Sequence, residues 1–455
     1  MESIVRGVKS RIHFIKENFE VLDWVILGGL ICICFLFYQH GDITHTGGSS
    51  FAYLNGHFLD FYEYNKKIFG VNNYLPTTYI IFAIWNIPLR LFQIVTEPTM
   101  DVCIFARMWY KLGTALFYAA SAYLIYKICL YKKVSKKNSI WAAFLFMSNP
   151  IAIYSEFIFG QYDIFTVFFM LLGYYYYVQN KNVKFVLFFA IALTCKYFSL
   201  LIFVPLLLLR EKNVWKIIKN MCGVVSVFIF ETLIYIASTA FREGVFEFGA
   251  TGYIFNLSWD NGFTKVSIVM AAWVLLCAWA YFKECRDETE EFQWGIYLSS
   301  IVMFICFGLS FWHPQWLLMA IPFWVLGMFF HQKPDIYMLL DLIMMVLFVA
   351  LAVGIWQNEC DQNLMAGGIL KNYVSDYVGK NYKMADLLHL NDNNFIFSML
   401  AAVMLVYVVF LHPSKLCSSE NVTVSQHKGI MRLRYIGGVL FFVVPSFLCL
   451  YVNMH

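Results

Sequence analysis

The sequence predicts an all-α, polytopic membrane protein, and three observations carry that prediction. Of 455 residues, 60% are hydrophobic and only 14% are charged, whereas a soluble domain carries about 25% charged residues. The apolar residues fall in long runs, many near the ~20 residues that cross a bilayer as helix. Those runs are unbroken, where a transmembrane β-barrel alternates over ~10-residue segments. A soluble enzyme, a disordered chain and a disulfide-rich secreted domain are thereby excluded. The net charge of +4, from 33 Lys and Arg against 29 Asp and Glu, gives no footing to a nucleic-acid partner. The 12 cysteines are scattered, mostly inside apolar runs and without paired CxxC spacing, so they read as small buried hydrophobes.

Taken in order, Arg6, Lys9, Arg11 and Lys16 precede the first apolar run, 21–38. That is a signal-anchor pattern with the N-terminus in the cytosol, and no small-residue cleavage site follows it. Residues 40–104 then form a long outer loop. Within it, 76–94 is apolar but interrupted by Asn86, Pro88 and Arg90. As a span it would place the basic cluster Lys132, Lys133, Lys136 and Lys137 outside, so a helix lying at the outer interface is expected. Spans follow at 105–128, 139–158 and 163–180. The stretch 185–209 has lysines or arginines at both ends, namely Lys181, Lys184, Arg210 and Lys212. Two short helices turning near Lys196 satisfy that charge pattern, and one span does not. Spans at 214–237, 265–283, 292–311, 315–330, 335–356, 394–411 and 435–452 bring the total to about thirteen, with the C-terminus outside. The other long outer loops are 238–264 and 357–393. Asn421-Val-Thr matches a glycosylation sequon but falls in a loop expected to be cytosolic.

Polar residues other than lysine and arginine gather on the outer side. Asp42 leaves the first span by a few residues, in His40-Gly-Asp42-Ile-Thr-His45. It fits either a proton acceptor for a hydroxyl or a simple turn residue. The same loop holds Asp60 in Leu59-Asp-Phe-Tyr and Tyr79 in Tyr74-Leu-Pro76-Thr-Thr-Tyr79. Next comes Asn149-Pro150, then Gly160-Gln161-Tyr-Asp163, where Asp163 serves equally as a helix N-cap or as a functional charge at the membrane edge. His313 and Gln315 sit in a tight turn between Trp312 and Trp316. Arg107 and Lys196 are cations at expected outer ends of spans, suited to a lipid-linked phosphate or to snorkelling. Glu231 lies inside a span and needs a partner or a proton. No P-loop, dinucleotide-binding, zinc-protease or serine-hydrolase motif occurs.

This layout resembles the GT-C superfamily of integral membrane glycosyltransferases, in particular its mannosyltransferase-like branches. The matching features are Asp42, the Tyr/Pro element Tyr74 to Tyr79, Ala106-Arg107, Asn149-Pro150 with Gly160-Gln161-Tyr-Asp163, Lys196 in a short helical hairpin, and His313. The likeness runs through residues 20–330, so 1–330 is expected as a transmembrane catalytic module and 331–455 as additional helices. It implies inverting transfer of a mannose-like or glucose-like hexose from a polyprenyl-phosphate-linked donor to a glycan or lipid-linked acceptor. Asp42 is then the general base, Arg107, Lys196 and His313 hold the donor phosphate, and Asp60, Gln161, Asp163 and Tyr79 serve the acceptor. Membrane lipids are the surroundings, and neither cofactor nor metal is implied. The first loop lacks the paired acidic motif of some members, and His313-Pro-Gln stands where several have His-Glu, which leaves sugar and acceptor open. With no ER retrieval signal at the end of the sequence, a bacterial cell membrane is favoured over the ER. Two rival readings are a transporter or flippase of lipid-linked sugars, which would show related halves, and an oligosaccharide polymerase or ligase, for which the outer-loop lysines Lys371, Lys380 and Lys383 speak.

Overall fold

Proline, glycine and capping residues divide the apolar runs into helices whose ends converge on one region. The computed structural model describes residues 21–455 apart from 248–251, 254, 255, 261, 379–381, 389 and 391. The basic cluster Arg6, Lys9, Arg11 and Lys16, and also Lys380, lie outside the described residues.

Helix α1 (Val21–Phe37) gives way at Gln39 and His40 to α2 (Gly41–Ser49) and α3 (Phe51–Leu54), with a bend of 72°. His40 is the N-cap of α2, and its Nδ1 accepts the Asp42 N–H at 3.1 Å. Short α4 (Phe61–Phe69) leads to α5 (Pro76–Leu91), which begins at a proline, where the missing N–H has no helical partner anyway. The interrupted apolar stretch 76–94 thus does form a helix; it packs on α2 and α3 and on two later helices, α6 (Ile104–Tyr131) and α10 (Asn182–Cys195).

Helix α7 (Lys136–Met147) is capped by Ser135 and stops before Asn149-Pro150. The Asn149 side chain accepts the Ala152 N–H at 3.0 Å and starts α8 (Pro150–Ile153). A π turn (Tyr154–Phe159) continues it and ends at Gly160, whose φ of 76° is left-handed and favours glycine. Where a single span was expected over 139–158, the chain therefore bends by 54°, because Pro150 cannot donate to the preceding turn.

Helix α9 (Ile164–Val178) packs along α10, and α10 turns into α11 (Phe198–Arg210) through Lys196, the two short helices anticipated there. Then come α12 (Val214–Tyr235) and α13 (Thr239–Phe241). A small antiparallel hairpin, β1 (Ser258–Asp260) and β2 (Lys265–Ser267), pairs Trp259 with Val266 and is the one sheet among the described residues. The remainder is α14 (Ile268–Phe282), α15 (Glu288–Gly308), a 3-10 turn (Pro314–Met319), α16 (Ile321–Phe330) and α17 (Pro334–Ile355). A second 3-10 turn (Gln362–Gly367) precedes α18 (Lys371–Val374), α19 (Met384–Leu387), α20 (Asn393–Phe410), α21 (Lys428–Arg432) and α22 (Gly438–Met454).

Among the described residues, six helices are long and apolar enough to cross a membrane, or eight if each bent pair is one span, and five more apolar helices run only 10–17 residues. Outward faces stay apolar, as with Trp215, Phe230 and Leu233 on α12 and Phe395 and Phe410 on α20, which suits hydrocarbon as solvent. Inside, several buried charges are paired. Arg434, fully buried just before α22, donates from Nε to Asp341 at 2.8 Å, from Nη1 to Ser148 at 3.3 Å and from Nη2 to the Leu145 carbonyl at 3.1 Å. Glu231, the carboxyl expected to need a partner, accepts from Thr77 on α5, which in turn accepts from Thr194 at 2.9 Å.

Candidate functional site

The breaks in the helices assemble a polar cluster. Asp42 stands in the first turn of α2, and its side chain is 42% exposed, so a substrate can reach it. His40 does the capping, which leaves the Asp42 carboxylate free of that duty. Its Oδ1 lies 3.2 Å from His40 Nδ1, and its Oδ2 accepts from Gln161 Nε2 at 3.2 Å. The amide of Gln161 is oriented by the chain itself: Oε1 accepts the Tyr162 N–H at 2.8 Å, so the NH₂ end faces Asp42. The His40 ring is stacked on Phe159 with centroids 4.2 Å apart.

Asp163 is a different kind of carboxylate. It occupies the N-cap position of α9 yet makes no capping hydrogen bond. Its Oδ1 instead receives Lys196 Nζ at 2.6 Å, with the two side chains 1% and 5% exposed. The capping alternative gives way to this pairing. Lys196 Nζ also lies 4.6 Å from the Trp316 ring centroid and 5.7 Å from that of Tyr74. Trp316 connects Lys196 to His313, whose ring is 5.7 Å from Trp316 and 5.4 Å from Trp356. Burial holds the His313 imidazole below its ordinary value; the Asp42 charge opposes this, and Lys196 and His40 add to it. Asp42, Lys196, His40 and His313 thus share one field. Beside them, a cavity of about 260 Å³ is lined mainly by apolar groups, among them Leu75, Leu193 and Phe228, with Tyr74, Trp316 and Lys196.

Two expected site residues, Arg107 and Asp60, make their contacts elsewhere, and a third, Tyr79, lies behind the cavity wall against Tyr74. Arg107 is half-buried near the start of α6 and donates from Nε to the Val102 carbonyl at 3.3 Å, beside Asp101. Asp60 is held by His57 Nδ1 at 2.9 Å on an exposed surface. Tyr79 is buried in an aromatic nest, with its ring 4.8 Å from Phe61 and 6.3 Å from Tyr62. Conversely, His40 as the neighbour of Asp42 was not singled out from the sequence, nor was Lys111, a cation in the interior of α6. Charge inside an apolar run is the signal that marks Lys111. Among the described residues no group of three or more His, Cys, Asp or Glu side chains is placed to hold a metal ion.

A family model described as a predicted membrane protein, DUF2079, matches residues 99–430. The chain belongs to the DUF2079 family. The DUF2079 match takes in Gln161, Asp163, Lys196 and His313, while Asp42 and the α2–α5 segment precede it. No curated protein matches the chain.

Proposed function

We propose that this multi-pass membrane protein is a GT-C-type hexosyltransferase. It would move a mannose-like or glucose-like sugar from polyprenyl phosphate to a glycan or lipid-linked acceptor at the outer face of a bacterial cell membrane. The observation that carries the reading is the contrast between two carboxylates beside one cation: Asp42 is open and oriented by Gln161, whereas Asp163 is closed on Lys196. One is available to take a proton, and the other fixes an ammonium at the end of a largely apolar cavity.

A phosphate-linked sugar brings its own leaving group, so such a site needs positioning, one base and fixed positive charge. In this reading an acceptor hydroxyl oxygen bonds to the anomeric carbon as its proton passes to an Asp42 oxygen. The bond from that carbon to the phosphate oxygen breaks on the opposite face, and its electron pair leaves with polyprenyl phosphate. Configuration inverts. Lys196 and His313 face the departing charge, Trp316 and Tyr74 wall the cavity that takes the first part of the lipid, and Gln161 keeps the base aimed. Arg107, outside the cluster, has no part in it. The thirteen-span topology with a cytosolic N-terminus belongs to the same reading.

The test is transfer of labelled hexose from polyprenyl-phosphate mannose and polyprenyl-phosphate glucose to a mixed glycolipid pool by the purified chain in liposomes. Asp42→Asn keeps shape and removes basicity, and is expected to lower turnover by ~10²–10⁴-fold, the worth of a positioned base. Lys196→Ala and His313→Ala should also weaken transfer, and Arg107→Ala should not. Wild-type turnover by Asp42→Asn sinks the assignment.

A further inference from the structure

The backbone that delivers Asp42 is held from three directions by groups outside the cluster. Lys111 is fully buried. Its ammonium donates to the carbonyls of Cys34 at 3.2 Å, Phe35 at 2.7 Å and Tyr38. Those are carbonyls in the last turn of α1 and just past it, at the helix end that favours a cation. An ammonium has three N–H donors, and here each meets one of these carbonyls. The Lys111 stem passes Gly160, where an added Cβ would come 3.6 Å from Cε. The second hold is the His40 N–H, donated to the Phe159 carbonyl at 2.8 Å. The third comes from the far end of the chain. Gln39 N–H donates to the Leu364 carbonyl at 2.8 Å and Ile369 N–H to the Leu36 carbonyl at 2.9 Å. This close approach depends on glycine: a Cβ on Gly367 would overlap the Gln39 carbonyl oxygen, and one on Gly368 that of Phe37.

We propose that Lys111, Gly367 and Gly368 are positioning residues that fix backbone 36–40 and, two residues on, hold the Asp42 carboxylate against Gln161. A lysine so deep in an apolar helix is costly unless it satisfies polar groups that would otherwise be orphaned, and here those groups lie directly before the exposed carboxylate. The strap 362–369 makes the C-terminal helices a structural part of the site. The consequence for rate rests on the reading of Asp42 as base; the hold on the backbone does not.

Hydrogen exchange read by mass spectrometry on the full chain in lipid nanodiscs tests this. In Lys111→Met and in Gly368→Ala, the amides of Gln39 and His40 are expected to exchange about tenfold faster or more, while peptides from α17 exchange as in the wild type, marking a local opening. Lys111→Arg, which keeps the donors, should restore slow exchange. In the transfer assay the first two variants should lose kcat about tenfold with the donor KM unchanged. Unchanged exchange in both, or faster exchange with undiminished kcat, overturns the proposal. Should the wild type transfer no sugar, the exchange result still decides the hold, and it is the transferase reading that falls. If Lys111→Met does not fold, Gly368→Ala and Lys111→Arg decide by the same criteria.

Discussion

His313 sits where burial and three neighbouring charges act on one imidazole, and the balance lowers its pKa from 6.5. An unfolded chain therefore takes up a proton at this position before the folded chain does. Its contribution to stability is fully present above about pH 6.5 and is lost as pH falls toward the folded value. His313→Gln should flatten that acid-side decline, as thermal unfolding followed between pH 5 and pH 8 at ~0.5-unit steps would reveal; an identical slope in wild type and variant would rule it out. Residues such as Asp42, Gln161 and His313 were readable from the sequence because each lies between apolar runs. The role of Asp163 was not, because its partner Lys196 is 33 positions away and no periodicity reports such a pairing. The partners of Lys111 were equally hidden, since its carbonyls lie more than 70 residues earlier.

Helix breaks are the elements that build the cluster, and Asn149-Pro150 is the most consequential of them. Asn149 both caps α8 and donates to Asp341 at 3.2 Å. Asn149→Ala removes the cap and one support of a buried carboxylate, so a loss of ~1–3 kcal/mol is expected, measurable as a lowered midpoint of denaturant unfolding in detergent. Asn149→Asp, which retains the cap acceptor but adds charge beside Asp341, should be worse than Asn149→Ser. The paired helices around Lys196 and the start of α5 at Pro76 were legible because charge and proline punctuate the sequence there. The π turn Tyr154–Phe159 was not, since it follows from packing, nor was the β1–β2 hairpin, whose strands are three residues each.

On the scale of the whole molecule, the length of the apolar runs was enough to establish a helical, multi-pass membrane chain. Which way it threads is a separate matter of charge placement. Lys136→Cys should react with a membrane-impermeant maleimide only from the cytosolic side, and Lys67→Cys, on the exposed face of α4, only from outside. The opposite pattern would move Asp42 and its neighbours to the cytosolic face and remove an outer-face reaction from consideration. The shorter apolar helices of 10–17 residues are where length alone does not decide, because two can turn within the bilayer or one can lie along it.

The buried Arg434 has a bearing on how the chain is made. An arginine near the centre of a lone helix costs ~2.5–3.5 kcal/mol on entry into a bilayer, and this one lies in the N-terminal part of the last long apolar helix, Lys428–Met454. Its counter-charge is 93 residues earlier, and its contacts in α7 and just beyond it are 289 and 286 residues earlier. During synthesis those groups must wait, unneutralised, while every intervening helix is threaded. The final span is then no independent greasy rod; its charged groups fit partners on helices made before it. Assembly thereby acquires a direction, with the closing helix acting as a key whose charged teeth, Arg434 on Asp341 and Arg432 on Asp23, fit only a correctly gathered bundle.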